Sequence, residues 1–311
     1  MHGDTDSTHV ADPKVIAAAR SLELAARRLV SGAQAGLHSS RRKGSSREFS
    51  QYRAYQQGDE SRLIDWKVFA RSDRYFIRES EVDTRTSVRI IVDATDSMRQ
   101  CDAARPGLRK FDAARILAAA FAQIAQAQGD PAELVAVTEG GVRRVTSRSG
   151  SRPFARIVRA LAALEPSGGW PEKGLSGTGA LALAPPGADS AAAAGELAVV
   201  LTDGHERAGE IRRDLAPLRQ RRREILFLHL VTRDEEVFPF EGRTRFEEWE
   251  TGRSAEVDAA SVKPAYLAAH AARNEAWRRA WGDDAFDYAR IMIDEPLDRA
   301  LASFLRRRSG F

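Results

Sequence analysis

The chain has 311 residues, of which 43% are hydrophobic, 30% charged and 7% aromatic. That is the balance of a globular protein with one large core, or one core plus a smaller attached domain. No apolar run approaches the roughly 18–20 residues of a membrane span, and residues 1–13 carry Asp4, Asp6 and Asp12 where a secretory signal would be apolar.

These features, with a single cysteine (Cys101) that can form no internal disulfide and is too little for a thiolate zinc site, make the cytoplasm the expected compartment. With 48 basic and 44 acidic residues the net charge is only +4. The arginine runs at residues 219–223 and 306–308 end predicted helices, where cations complement the helix dipole, so no nucleic-acid partner and no membrane insertion are expected.

Residues 1–12 read as a disordered tail. From Pro13 to about residue 31, Val15, Ile16, Ala19, Leu22, Ala26 and Leu29 recur at helical spacing, and Gly32, Gly36 and Gly44 then break the chain. Residues 45–85 are dense in charge and aromatics without a clean period, which predicts turns and short strands. Val88–Val92 is a buried strand ending at Asp93. A helix over 111–127 follows, then strands over 132–138 and 142–146 joined by Glu139-Gly140-Gly141, and a helix over 153–164. Residues 165–195, rich in Gly, Pro, Ser and Ala, form an irregular connection. A strand over 197–201, a helix over 206–222 and a strand over 225–231 come next. After a β-like stretch near 237–250 come a helix over 262–281, a strand over 286–293 and a last helix over 296–308. Strands alternating with helices predict an α/β fold, a doubly wound and mostly parallel sheet. The domain reading is a segment over 13–85, the sheet domain over 86–235, and C-terminal elements over 236–311 packed on it.

Asp93-Ala94-Thr95-Asp96-Ser97 follows a hydrophobic strand, and Asp203, in Leu201-Thr202-Asp203-Gly204, follows another. In an open α/β sheet, ligands bind at the carboxyl ends of the strands. A carboxylate and two hydroxyls spaced two apart, with a second carboxylate from a neighbouring strand, suit a small hard cation such as Mg2+ or Mn2+. The competing reading is that Asp93 caps a turn and the hydroxyls bond only backbone. The pattern resembles the metal-ion-dependent adhesion site of von Willebrand factor A domains. The resemblance implies Asp93, Thr95, Ser97 and Asp203 as ligands, with Thr95 where a serine is usual. It also implies a loop threonine, for which Thr178 is the choice and Ser167 and Ser176 are rivals.

A wider resemblance covers most of residues 13–308. It rests on Gly44–Phe49, Arg53-Ala54-Tyr55, Gly58–Arg62, Ile64-Asp65-Trp66-Lys67, Ala70-Arg71, Phe238–Gly242 and Asp294–Asp298. Together these resemble a bacterial family of unknown function that couples such a segment to a von Willebrand factor A-like domain and accompanies MoxR-type AAA+ ATPases. The resemblance implies a non-catalytic, chaperone-like adaptor that binds such an ATPase and a client protein during assembly or maturation of a complex. Read from the residues, Arg53, Asp59, Arg62, Asp65 and Arg71 form a salt-bridged cluster against Tyr55 and Trp66, as a buttress or a partner contact. Two other functions stay open: a metal-dependent phosphodiesterase using Asp59, Asp65 and Lys67, and a metal-free scaffold. Gly177-Thr178-Gly179-Ala180-Leu181-Ala182 matches a dinucleotide pattern but lacks the preceding strand it needs, and no P-loop is present.

Overall fold

A computed structural model describes residues 13–40, 52–55, 64, 66–78, 86–146, 153–171, 195–206, 209–216, 218, 223–281 and 286–308. In chain order the elements begin α1 (Pro13–Ser40), β1 (Tyr52–Ala54), α2 (Trp66–Ser72), β2 (Phe76–Arg78), β3 (Thr86–Asp93), α3 (Lys110–Gln128), β4 (Ala132–Thr138), β5 (Gly141–Thr146) and α4 (Pro153–Ala163). They continue β6 (Gly195–Thr202), α5 (Glu210–Leu215), β7 (Arg223–Val231), α6 (Arg233–Val237), β8 (Arg243–Glu247), β9 (Ser254–Asp258), α7 (Ala259–Trp281), β10 (Phe286–Met292) and α8 (Leu297–Arg308). The chain divides into two compact units, one of residues 1–37 with 85–311 and one of residues 38–84.

The larger unit is built on a six-stranded sheet in the order β10-β7-β6-β3-β4-β5. All neighbours are parallel except β4 and the edge strand β5. Counted within the sheet this is the order 6-5-4-1-2-3, the doubly wound arrangement whose strand direction of travel reverses between its first and fourth strands. Those strands are β3 and β6. The expected doubly wound, mostly parallel α/β architecture is therefore present. Its edge strand β10 comes from the C-terminal stretch 236–311, counted above as elements packed on the domain.

Alternation along β3 explains why both faces are covered. Val88, Ile90 and Val92 join one core with Leu22 and Ala26 of α1, Phe111 and Leu117 of α3, Ile157 and Leu161 of α4, and Phe304 of α8. Ile91 joins the other core, where Ile211 of α5 and Trp277 and Trp281 of α7 pack. Phe227 of β7 stacks on both tryptophans, at 5.1 and 5.3 Å between ring centroids. A strand apolar on both faces belongs at the centre of a parallel sheet. On the α7 face β3 also carries Arg89, fully buried, whose Nε donates to Glu133 of β4 (3.0 Å) and whose Nη1 lies 3.1 Å from Glu196 of β6. Arg144 of β5 reaches the other oxygen of Glu133 at 3.3 Å. The sequence reading passed over this charged ladder across four strands.

Several elements differ from expectation. Helix α1 does not stop at Gly32 but runs to Ser40. Gly32 is used for close approach, since a Cβ there would sit 3.2 Å from Oδ2 of Asp298 in α8. The smaller unit holds a helix, α2, where only turns and strands were expected. Trp66 and Phe69, three residues apart, meet on one face of it with centroids 6.0 Å apart. Helix α5 begins only at Glu210, behind Gly209 with its positive φ of 76°, and not at residue 206. Helix α6 was not anticipated.

Candidate metal centre

β3 and β6 are parallel neighbours with Val92 opposite Leu201, so Asp93 and the Thr202-Asp203 pair emerge together at their carboxyl ends. The chain after β3 turns sharply. The Ala94 amide donates to the Val137 carbonyl (2.9 Å), a 3-10 turn follows over Asp96–Arg99, and Asp96 accepts from the Gly168 amide at 2.7 Å. This folds Thr95 and Ser97 back over the strand ends.

Four buried side chains then form a chain of oxygens. Thr95 Oγ1 donates to Asp93 Oδ1 at 2.8 Å, Thr95 Oγ1 and Ser97 Oγ are 3.1 Å apart, and Ser97 Oγ donates to Asp203 Oδ1 at 3.3 Å. The sequence had brought these four together. It missed Thr202, whose hydroxyl donates to Asp93 Oδ2 at 2.6 Å and accepts from the Gly204 amide at 3.0 Å. It also missed Lys110, the first residue of α3. The Lys110 ammonium is buried and donates to Asp203 Oδ2 (3.1 Å), Glu235 Oε1 (2.8 Å) and Gln100 Oε1 (2.9 Å). A cation at a helix N-terminus opposes the helix dipole; the two carboxylates account for its place. Thr178 and Ser176 lie outside the described residues. Ser167 adjoins the site only through its backbone, donating from its amide to the Ala94 carbonyl at 2.9 Å, and its side chain is exposed.

The charges are unevenly settled. Burial lifts the Asp93 carboxyl, and the nearby Asp203 charge lifts it further, to about 7 despite the hydrogen bonds from Thr202 and Thr95. Burial would lift Asp203 as well, but the Lys110 ammonium, helped by His205, holds it at about 2. Burial presses Lys110 down, and Glu235 and Asp203 outweigh it. His229 is pushed down to about 4 by burial. Both its ring nitrogens are engaged, at 2.7 Å from the Tyr288 hydroxyl and 2.8 Å from the Asp203 carbonyl oxygen.

Asp59, Arg62 and Asp65 lie outside the described residues, and Arg53 and Lys67 are described by their backbone alone. Arg71 is exposed, and Trp66, 58% exposed, meets Tyr75 edge-on at 6.5 Å.

Residues 51–276 match the model of the family described as "Protein of unknown function DUF58". The chain belongs to the DUF58 family. Among curated relatives, the uncharacterized proteins Rv1480 of Mycobacterium tuberculosis and Mb1516 of Mycobacterium bovis are each 29% identical over 164 residues, which is 53% of this chain and 49% of theirs. The chain thus aligns with about half the length of the curated relatives it matches. Similar solved structures include the conserved hypothetical protein BatB from Bacteroides thetaiotaomicron, at 13% identity, 73% coverage of this chain and 100% of that one, with a TM-score of 0.43. A von Willebrand factor type A protein from Catenulispora acidiphila shows 20% identity over 72% of this chain and 42% of its own, with a TM-score of 0.37. Among the described residues no helix is long and apolar enough to cross a membrane.

The donor set of this DUF58 protein fits a hard divalent cation. Neighbouring ligands in an octahedron of radius about 2.0–2.1 Å stand about 2.9 Å apart, close to the 2.8, 3.1 and 3.3 Å separating its four oxygens. With Asp93, Asp203 and Glu235 ionised and Lys110 protonated, the cluster carries two uncompensated negative charges, which a divalent ion would balance. Among the described residues no three of His, Cys, Asp and Glu gather at metal-binding spacing. An ion would therefore rest on two carboxylates and on hydroxyls.

Gly204 holds the loop after Asp203. Its φ is +64°, a Cβ there would meet the Trp277 ring at 2.8 Å, and its carbonyl accepts from Trp277 Nε1 at 3.2 Å. Gly204→Ala should combine roughly 1–2 kcal/mol of left-handed backbone cost with roughly 1–3 kcal/mol of overpacking. Urea denaturation should show a loss of about 2–5 kcal/mol, and a variant as stable as wild type would remove Gly204 as the constraint on this loop.

Proposed function

We propose that this protein is a non-catalytic, protein-binding partner of a MoxR-type AAA+ ATPase that acts in assembling or maturing a protein complex through a metal-assisted adhesion-type site. Asp93, Thr95, Ser97 and Asp203 would hold Mg2+ or Mn2+, with the loop hydroxyl assigned by resemblance to Thr178. When bound, the ion supplies an electrophilic position that accepts a carboxylate from the partner. The observation that carries the reading is the run of four side-chain oxygens at cis-ligand spacing where the strand order reverses. Lys110 supports it by compensating one oxygen of Asp203 and leaving Oδ1 toward Ser97. The occupied nitrogens of His229 also suit binding better than proton transfer.

The test is Mn2+ titration followed by electron paramagnetic resonance, with pull-down of a MoxR-type ATPase in parallel. Asp93→Ala should weaken Mn2+ affinity at least tenfold and reduce ATPase capture while leaving the melting profile cooperative. Chelator should reproduce the loss of capture in the wild type, and Mg2+ or Mn2+ should restore it. Capture indifferent to both would refute the metal-assisted mechanism. Metal-dependent DNA cleavage lost in Asp65→Ala would instead favour the phosphodiesterase reading.

A further inference from the structure

The ion site opens into a cavity of about 580 Å3. Ser97, Gln100, Asp203 and His205 line it from the ion site's side, and the elements between β7 and β10, namely α6, the β8–β9 hairpin and α7, supply the other lining residues. A water takes about 30 Å3, so a hydrated ion uses only a small part of this space. The volume falls in the range of small-ligand and side-chain pockets, about 300–1,000 Å3.

Its wall is aromatic. Phe238 is the hub, with ring centroids 5.1 Å from Phe240, 5.5 Å from Phe246 and 4.7 Å from Tyr266. The hub is held at a cost. Phe238 has a φ of +46°, a region that bulky side chains avoid at roughly 1–3 kcal/mol. A glycine would relieve the backbone there but would remove the ring on which the wall is assembled. At the mouth stands Trp249, 52% exposed, of the residue type most often found to dominate binding energy at interfaces.

The charges along the cavity select the ligand further. Asp234, Glu247 and Glu248 line it in addition to Asp203. Their field disfavours a polyacidic segment and favours basic flanks, so a single carboxylate is best placed at the ion end. Arg273, also on the wall, has a buried Nε with no hydrogen-bond partner among the described residues.

We propose that this groove binds a peptide segment of a partner protein in which one carboxylate side chain is followed closely by a large apolar side chain, with basic flanks. The carboxylate goes to the ion end, and the apolar side chain fills the space between Phe246, Tyr266 and Trp249. The carboxylate half rests on the ion-site reading above; the apolar half rests on the groove alone.

The probe is a displayed library of random heptapeptides, selected on the full chain in Mg2+, with the enriched peptides then measured by fluorescence anisotropy. Enriched peptides should pair one acidic residue with a nearby Phe, Leu, Ile or Met. Replacing that apolar residue by Ser, or using the Trp249→Ala protein, should weaken binding at least tenfold, with Mn2+ affinity unchanged by Trp249→Ala. Since Trp249 is half exposed, this variant should keep its melting temperature; Phe246→Leu, which alters the wall conservatively, is the second variant and should weaken binding severalfold. Chelator should abolish binding. Peptides that need the carboxylate and the ion but ignore the apolar replacement and both wall variants would overturn the groove proposal and leave the ion site standing. Peptides that need the apolar residue and Trp249 but ignore chelator and Asp93→Ala would overturn the carboxylate half together with the ion-site reading. Absence of any enriched peptide, or a dimer in sedimentation that dissociates in Trp249→Ala, would overturn the proposal in favour of a different occupant.

Discussion

Arg89→Ala is expected to destabilise the protein by about 3–5 kcal/mol, the cost of removing one member of a buried ion pair. Arg89 lies fully buried between Glu133 and Glu196. Without it, both carboxylates lose the guanidinium held between them, and Arg144 at 3.3 Å supports Glu133 from one side only. The residue stands four positions before Asp93 on β3, about 13 Å away along the strand, so the effect should fall on stability and not directly on the ion site. Urea denaturation checks it. Replacing Arg89, Glu133, Glu196 and Arg144 together by Met, Leu, Leu and Met should recover much of the loss, because an apolar set leaves no buried charge. A single Arg89→Ala variant within 1 kcal/mol of wild type would show the ladder to be energetically idle.

The second large effect is a pH dependence of the ion-free protein. Asp93 has its pKa raised in the fold from 3.8 to about 7 by burial and by Asp203. Between those values the native state keeps a proton that the unfolded chain has released, so stability falls as pH rises through this window. At about 1.4 kcal/mol per unit, the effect approaches 4 kcal/mol near pH 7. His229 works in the opposite sense. Its pKa is lowered from 6.5 to about 4, so the unfolded chain binds the extra proton and stability rises with pH over that range. The wild-type profile in chelator should therefore be nearly flat from pH 4 to 6.5 and fall by less than about 1 kcal/mol from there to about pH 7, where the Asp93 contribution ends. Asp93→Asn removes the first contribution and keeps the second, so its stability relative to wild type should climb steadily from pH 4 to 7. Parallel profiles for the two proteins would mean that Asp93 is not strained by its surroundings. In wild type, saturating Mg2+ should abolish the decline above pH 6.5.

The parts of this arrangement that could be read from sequence are those carried by short, local patterns. Ile90–Val92 and the apolar run before Thr202 are continuous because β3 and β6 are covered on both faces, and each leads directly into the segment that carries its carboxylate. The parts that were not legible depend on distant pairing. Lys110 reads as an ordinary helix start until α3 is seen to bring it against Asp203 and Glu235, 93 and 125 residues further along the chain. Arg89 reads as an interruption in an apolar strand until Glu133 and Glu196 are placed beside it. Helix α6 did carry a local signal, the capping box Thr232-x-x-Glu235. The short helix it opens was hidden by the expectation of a β-like stretch near residue 237. Phe238 and Phe240 carry part of the family resemblance, but nothing in their spacing announces that they wall a cavity with residues from β8 and α7. Thr202 stands beside Asp203 in sequence, but its bond to Asp93 depends on the pairing of β6 with β3.

The placement of β10 has a consequence for how quickly a partner can be accommodated. This strand pairs with β7 residue for residue, from Phe286 opposite Ile225 to Met292 opposite Val231. Most of what walls the groove, from Asp234 to Arg273, is strung between these two strands. The wall is thus clamped at both ends to one rigid ladder, with Tyr288 of β10 also bonded to His229 of β7. Its two ends can therefore separate only if a seven-residue strand pairing slides or peels. Docking should then sacrifice little configurational entropy on this side, the ordering penalty falling on the incoming segment, and association should proceed without waiting for a slow rearrangement of the receptor.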